Sequence, residues 1–347
     1  MCTFPSHPVG SVIPVLADTR PLPTSVPDPG PSGVGAPILP VGAWRGTPRP
    51  RARTAPRVVA GVVALLAAVG VWLTWRIFVA TPTGQRVDEL AFLGATHGQG
   101  RLWQVAEPVL DVVSVAFVVA GVGAAAGVAA LRRRWALALQ VVVLVVGANV
   151  TTQVLKHAVL DRPELLPGWT GQNTLPSGHT TVAASVAAAL LLAAPRAWRP
   201  VVAVLGAAYT GMTGVSTLVG QWHRPSDVVA AVLVVLVWGA AVCALTPPSS
   251  LDAPRRPGGS TASPGSFVVA GLMLLAAAAG AVASLATMVG LARAGATVPV
   301  LSSAPDLTAY AAGAVGVLSV TAAAFAVLLV LRQLTARPAV QHREQGH

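Results

Sequence analysis

Long uncharged apolar runs constrain this chain more than any other feature of its sequence. Most of them approach or exceed the roughly 20 residues that a helix needs to cross a bilayer. Lipid offers no hydrogen bonds to the backbone, so helices are expected, and the alternating pattern of barrel strands is absent. We therefore predict an all-α, polytopic transmembrane helical bundle with about eight spans. They are placed at 58–80, 106–131, 135–156, 179–195, 200–220, 226–246, 267–291 and 308–331.

The charge composition also favours a membrane protein. Hydrophobic residues make up 54% of the 347 residues and charged residues only 10%, against about 25% charged residues in soluble domains. The net charge of +11 comes almost entirely from arginines beside the ends of apolar runs. No nucleic-acid-reading motif accompanies these charges, so no nucleic-acid partner is expected. Cys2 and Cys243 lie in a polar tail and an apolar run, a pattern that argues against a disulfide framework or a zinc site.

Polar segments divide the chain into five regions. Residues 1–57 are rich in Pro, Gly, Ser and Arg, and we expect a disordered cytoplasmic tail. The membrane core, 58–246, holds six of the predicted helices. A flexible cytoplasmic linker, 247–266, would connect it to two additional spans within 267–332, and 333–347 would form a second cytoplasmic tail.

Arginine placement predicts the orientation, because positive residues favour the cytoplasmic side. Five arginine groups fall on one side if both termini are cytoplasmic, which gives a multi-pass protein of the cell membrane. The stretch from Thr83 to Arg101 then lies outside, and we expect an ordinary solvated loop there. The five groups are Arg53 and Arg57, Arg132 to Arg134, Arg196 and Arg199, Arg255 and Arg256, and Arg332 and Arg337.

Two cations at the outer end of the third predicted helix indicate an anion site. Lys156 is the only lysine in the chain, and Arg162 follows it in the same short loop. A cation at the end of an apolar helix must find a partner or reach toward water. The planar fork of Arg and the point charge of Lys together suit a phosphate group.

The stretch Pro176-Ser177-Gly178-His179 opens the fourth predicted helix. Free backbone N–H groups and the helix dipole favour an anion at such an N-terminus. Gly178 would let a phosphate approach the backbone closely, since it has no Cβ. His179 would then lie in the first turn, where it could deliver a proton to a bound oxygen.

His223 and Asp227 are four residues apart near the start of the sixth predicted helix. A carboxylate bonded to one ring nitrogen fixes the tautomer and leaves the other nitrogen free to attack. Two histidines and a cationic cradle are the minimum parts for covalent phosphoryl transfer. One histidine attacks phosphorus, and the other protonates the leaving alkoxide.

Each of these features also has a structural explanation when it stands alone. A cation at a span end often anchors the interface, and a serine before a helix is commonly an N-cap. A lone histidine at an interface is more often structural, and His and Asp four apart can form a surface pair. Their joint occurrence on one predicted face favours the chemical interpretation.

At these residues the sequence resembles the type 2 phosphatidic acid phosphatase superfamily, which includes the vanadium haloperoxidases. The family pattern is a lysine, a short spacer and Arg-Pro; then Pro-Ser-Gly-His; then Ser-Arg, five residues, His, three residues and Asp. Pro-Ser-Gly-His is complete here, and Ser216, His223 and Asp227 keep the family spacing. The resemblance covers roughly residues 58–246.

The resemblance implies a role for each matching residue. His223 would be the nucleophile that forms a phosphohistidine, Asp227 would orient it, and His179 would be the general acid. No metal and no other cofactor are implied. The residues implied to hold phosphate are Lys156, Arg162, Ser177 and the amide of Gly178.

Two departures from the family pattern affect the phosphate site. Five residues separate Lys156 from Arg162, where the family usually has six. Thr217 stands where the family has a phosphate-binding arginine, and loss of that cation weakens stabilisation of a polyanionic transition state. Arg224, beside the predicted nucleophile, is our candidate for a compensating phosphate-binding residue.

The expected function is hydrolysis of a phosphate monoester or diphosphate on a membrane lipid, at the extracytoplasmic face. Two alternatives remain open on the sequence. The same site could serve a phosphotransferase that passes the phosphoryl group to an acceptor other than water. Thr217 also leaves open a catalytically weak relative that binds or transports lipids. The identity of the lipid and the oligomeric state are not indicated.

Overall fold

The computed structural model describes residues 53–99, 134–166, 172–252, 264–294 and 303–338, with the single positions 104, 123 and 127. Eight helices lie in these ranges, and no strand does. Their bounds are α1 Thr54–Thr74, α2 Pro82–Gly94, α3 Trp135–Val154, α4 Gly178–Ala193, α5 Arg199–Val219, α6 Pro225–Ala244, α7 Pro264–Ala294 and α8 Ser303–Thr335. A π-helical turn extends α1 (Trp75–Val79) and another extends α3 (Leu155–Val159).

The predicted all-α, polytopic membrane architecture is confirmed. Within the described ranges, six helices are long and apolar enough to cross a membrane: α1, α3, α5, α6, α7 and α8. The fourth predicted span corresponds to α4, an apolar helix of 16 residues. The second predicted span, 106–131, lies outside the described residues apart from isolated positions, as do tail residues 1–52 and 339–347.

The core of the bundle is built from α4 and α6 with their neighbours α3, α5 and α8. Small residues permit close helix packing, as expected where lipid supplies no hydrophobic drive between helices. At Gly147 of α3, a Cβ would overlap the ring of Trp238 in α6, so only glycine fits there. The additional helix α8 packs against α5 and α6 as well as α7, so it is part of the bundle rather than an appendage.

The expectation of a solvated loop at 83–101 is wrong, because most of this stretch is the helix α2. Thr81 caps its N-terminus by accepting a hydrogen bond from Gly84 N at 3.1 Å, and Pro82 occupies the first turn. Its inner face buries Gln85 and Asp88, which are polar. Buried polar residues leave no apolar period, so hydropathy does not reveal this helix.

The predicted arginine groups that the structure describes gather at one end of the bundle. Arg57 at the start of α1 donates to Ala244 O at the end of α6, at 2.7 Å. Arg332 near the end of α8 donates to Leu192 O at the end of α4, at 3.1 Å. This end lies opposite the ends where the motif residues of α3, α4, α5 and α6 are found.

The beginning of the predicted linker lies at the same end. Pro248–Ser250 form a short 3₁₀ turn, and Asp252 accepts two hydrogen bonds from Arg199, both at 2.8 Å. Arg134 also donates to the backbone oxygens of Ser250 and Leu251. Residues 253–263 of that linker lie outside the described residues.

Candidate active site

The three motif stretches meet at one end of the bundle. Lys156 lies in the π-helical turn that follows α3, and Arg162 lies in the loop after it. Ser177 precedes α4, and His223 precedes α6. The backbone N–H of Ser177 donates to the backbone oxygen of Asp227 at 2.9 Å, so the second and third motifs are joined directly.

His223 and Asp227 form a buried hydrogen-bonded pair. His223 Nδ1 lies 3.3 Å from Asp227 Oδ2, and the same oxygen accepts from Thr174 Oγ1 at 2.6 Å and from the Arg224 N–H at 3.0 Å. A carboxylate held by several donors stays ionised and favours the tautomer with hydrogen on Nδ1. This leaves His223 Nε2 with a lone pair, as a nucleophile requires.

The second histidine of the site, His179, lies beside the first. The centroids of the His179 and His223 rings are 6.3 Å apart, with the planes inclined by 65°. His179 is exposed, whereas His223 is only 5% exposed. The ring of Trp222 packs on His179 with centroids 5.2 Å apart. The two imidazoles are therefore close enough to act on one phosphoryl group from different sides.

Two of the four phosphate-binding candidates belong to the start of α4. Ser177 is fully buried and its Oγ accepts a hydrogen bond from Thr180 N at 3.3 Å, so it is the N-cap of the helix. Gly178 faces open space: a Cβ built there would meet Gln153 Nε2 at 3.9 Å and nothing closer. An anion can therefore approach the first backbone amides of α4, where the helix dipole favours it.

The two cations of the first motif differ in their surroundings. Lys156 is half-buried, and its charge acts on both Asp227 and His179. The Arg162 side chain is only 2% exposed, and its Nη2 lies 3.1 Å from Asp88 Oδ2. Lys156 is thus linked to the site by its charge, whereas Arg162 is oriented by a carboxylate.

Arg224 turns toward α2 rather than toward Asp227. Its Nε and Nη2 donate to Glu89 Oε2 at 2.8 and 2.6 Å, and its guanidinium carbon lies 4.7 Å from the centroid of the Phe92 ring. Arg224 and Arg162 line the same narrow cleft, together with Gln85, Glu89 and Leu166, and these side chains leave essentially no free volume between them. The structure therefore brings a second arginine into the neighbourhood of the first.

Comparison with protein families agrees with this geometry. The sequence model described as the PAP2 superfamily matches residues 135–250, from the start of α3 to the turn after α6. Residues 135–250 belong to the PAP2 superfamily. Comparison with curated proteins and with solved structures produced no match. PAP2 proteins are usually phosphatases, and membership indicates an enzyme that acts on phosphate esters.

Thr217, which stands where the family has an arginine, is buried and does not face the site. Thr217 is fully buried, and its Oγ1 donates to Gly214 O at 2.7 Å. Its backbone oxygen accepts from the N–H groups of Trp222 and His223, at 3.0 and 3.3 Å. Thr217 therefore shapes the loop that presents the histidine and contributes no positive charge to the site.

Sequence reasoning missed the carboxylates of α2. Asp88 accepts hydrogen bonds from Ser226 N at 3.2 Å and Ser226 Oγ at 2.6 Å, in addition to its pair with Arg162. Burial raises the pKa of Asp88 to about 6, although the charge of Arg162 opposes that shift. The Thr81-Pro82 pair, a typical helix start, was the available signal that the stretch 83–101 is not a plain loop.

Two amide side chains outside the motifs hold the loop of Lys156 and Arg162 in place. Asn173 Nδ2 donates to the backbone oxygens of Lys156, Leu160 and Leu175, at 3.1, 2.8 and 3.2 Å. Gln85 Nε2 donates to Val79 O and Pro163 O, both at 2.7 Å. Nothing in the sequence marks these residues, because their partners are backbone atoms from other segments. In the described part of the chain, no three His, Cys, Asp or Glu side chains cluster as a metal site would need.

Proposed function

We propose that this PAP2 protein hydrolyses a phosphate monoester or diphosphate on a membrane lipid, through a phosphohistidine on His223. The observation that carries the proposal is the histidine pair. One ring is buried and bonded to Asp227, and the other is exposed with its centroid 6.3 Å away. These environments suit a nucleophile that must keep one tautomer and an acid that must exchange protons with water.

The positions of these groups support the following reaction. His223 Nε2 attacks phosphorus, the bond from phosphorus to the lipid oxygen breaks, and His179 donates a proton to that oxygen. Water then attacks the phosphohistidine with His179 as base, which releases phosphate and restores both rings. The cations that would stabilise the charge on the phosphoryl oxygens are Lys156, Arg162 and Arg224, with the amides at Ser177 and Gly178.

A lipid substrate is favoured by the location of the site. The reacting side chains lie at the ends of the apolar helices α3, α4 and α6. Trp222, which packs on His179, is 44% exposed, as suits an aromatic residue at a membrane interface. A phosphate head group at this level would leave its acyl or prenyl chain among apolar surfaces. Because the arginine groups gather at the opposite end, the positive-inside tendency supports an extracytoplasmic site.

Phosphate release from a panel of lipid phosphates tests the proposal. The full chain in detergent, with a chelator present, is given phosphatidic acid, phosphatidylglycerol phosphate and a polyprenyl diphosphate. We expect release from at least one of them, abolished in His223→Ala and preserved in His157→Ala, which removes an exposed imidazole from the same end. Release that persists in His223→Ala contradicts the mechanism. In sealed vesicles of known orientation, we expect the protein to hydrolyse substrate on the membrane face opposite the two termini and to spare substrate on the other face.

A further inference from the structure

Two consecutive carboxylates of α2 lie against the two arginines of the cleft. Asp88 Oδ2 is 3.1 Å from Arg162 Nη2, and Glu89 Oε2 is 2.6 Å from Arg224 Nη2. The arginine fork that binds a carboxylate also binds phosphate oxygens. Each carboxylate of α2 therefore stands where an oxygen of an anionic substrate would be recognised.

The two carboxylates differ in how firmly they are held. The Asp88 side chain is 1% exposed, and Ser226 donates to it from both its N–H and its hydroxyl group. The Glu89 side chain is 23% exposed, and within the described ranges its hydrogen bonds come from Arg224. Removing Asp88 would leave three donors at the start of α6 and in Arg162 without their acceptor, whereas Glu89 can rotate into water.

We propose that Glu89 is an exchangeable counter-ion that the phosphate of the substrate displaces from Arg224, while Asp88 is a fixed positioning residue for Arg162. This inference rests on the proposed function and adds a step to substrate binding. Arg224 would thereby supply, from the other side of the site, the positive charge that Thr217 does not provide.

Physical considerations favour this exchange. Glu89 is the more exposed member of its pair with Arg224, so water can solvate its carboxylate once it leaves the arginine. A phosphate dianion carries twice the charge and three oxygens, so it competes well for the same fork. The ring of Phe92 lies under the guanidinium group at 4.7 Å, and this contact would hold Arg224 in place after Glu89 leaves.

The test compares Glu89→Gln with Glu164→Gln, which makes the same chemical change at an exposed residue of the Arg162 loop. Kinetics are measured with a short-chain phosphatidic acid, and inorganic phosphate is added as a competing product. We expect Glu89→Gln to lower both KM and the inhibition constant of phosphate by about three- to tenfold, because the competing charge is gone. Glu89→Ala should act in the same direction, and Glu164→Gln should match the wild type.

Two further variants show whether the effect passes through the named arginines. In an Arg224→Ala background, Glu89→Gln should no longer tighten phosphate binding. Asp88→Asn should raise KM, because Arg162 loses the carboxylate that orients it. A raised or unchanged KM and inhibition constant in both Glu89 variants would overturn the inference. Such a failure for Glu89 leaves the proposed function intact as long as the wild type releases phosphate in a His223-dependent way. If the wild type shows no such release, the proposed function itself fails.

Discussion

Arginines lie at both ends of this helix bundle, but their partners differ. At the end of Arg199 and Arg332, both side chains are essentially fully buried and donate to backbone oxygens at the end of α4. Arg199 also forms two hydrogen bonds with Asp252. At the histidine end, Arg162 and Arg224 are bonded to carboxylate side chains of α2.

We infer from this difference that bonds to backbone oxygens mark a structural arginine. Backbone oxygens at a helix end cannot leave without unwinding the helix, so an arginine bonded to them is committed to the fold. A carboxylate on a flexible side chain can be replaced by another anion. Position at the end of an apolar helix is the same in both cases, so these backbone bonds are what set Arg199 and Arg332 apart.

Asp227→Asn should produce the largest effect on kcat, which would show that the reaction takes place at the histidine end. The asparagine side chain is neutral, and its NH2 group can donate to His223 Nδ1 and so favour the wrong tautomer. We therefore expect kcat to fall by about 10³- to 10⁴-fold. The measurement is phosphate release by the folded variant, with Asp161→Asn, an exposed aspartate of the same end, as the control. Activity within about tenfold of the wild type would contradict the assigned role.

Arg199→Gln should show that the opposite end supports stability rather than catalysis. Loss of Arg199 leaves the buried Asp252 with only the more distant Arg134, 3.8 Å away, which costs about 3 kcal/mol. Unfolding of the detergent-solubilised protein measures this loss, and Arg53→Gln, at an exposed arginine of the same end, is the control. The kcat of the remaining folded protein should stay at the wild-type value. A large loss of kcat with unchanged stability would contradict a purely structural role for Arg199.

Gly178→Ala should weaken phosphate binding while the fold is preserved. The nearest atom to the added Cβ is Gln153 Nε2 at 3.9 Å, so the bundle has room for it. The methyl group would stand where phosphate approaches the amides of α4, and kcat/KM should fall about tenfold. Gly271→Ala, in a position of α7 with open space around it, is the control. An unchanged kcat/KM would exclude close approach of phosphate at this glycine.

The pH dependence of stability should have opposite signs at the two ends. Burial raises the pKa of Asp88 to about 6 from 3.8. The folded state therefore binds this proton more tightly, and the wild type should gain stability relative to Asp88→Asn as pH falls from about 7 to about 4.5.

Asp252 provides the opposing case. Burial alone would raise its pKa, but the hydrogen bonds and charge of Arg199 keep the pKa below its usual value. The stability it contributes is present at neutral pH, and the wild type should lose it relative to Asp252→Asn as pH falls through the acid range. These are the smallest effects, and thermal unfolding across pH measures them. Parallel curves for wild type and variant at either end would contradict the assigned environment there.

Much of this architecture is predictable from hydropathy, because the spans must be apolar wherever lipid surrounds them. Span boundaries differ from those predicted by a few residues, as at α1, which begins at Thr54 rather than at 58. The helix α2 escaped prediction because its buried face carries Gln85 and Asp88, whose burial depends on hydrogen bonds rather than on apolar contact.

The candidate site was predictable only in part. Motif spacing identified the histidines and the cations, since short-range spacing and helix termini bring those groups together. The partners of the cations come from distant segments: Asp88 is 74 residues from Arg162, and Glu89 is 135 residues from Arg224. Such pairings depend on how α2 packs against the start of α6, which no local pattern encodes.

Trapping of the covalent intermediate tests the central claim most directly. The protein is mixed rapidly with a lipid phosphate labelled on phosphorus, quenched in base to preserve an acid-labile phosphoramidate, and digested for mass spectrometry. We expect the label on the imidazole of His223 in the wild type, and no labelled protein in His223→Ala. Label on another residue, or full turnover by His223→Ala, would contradict the account.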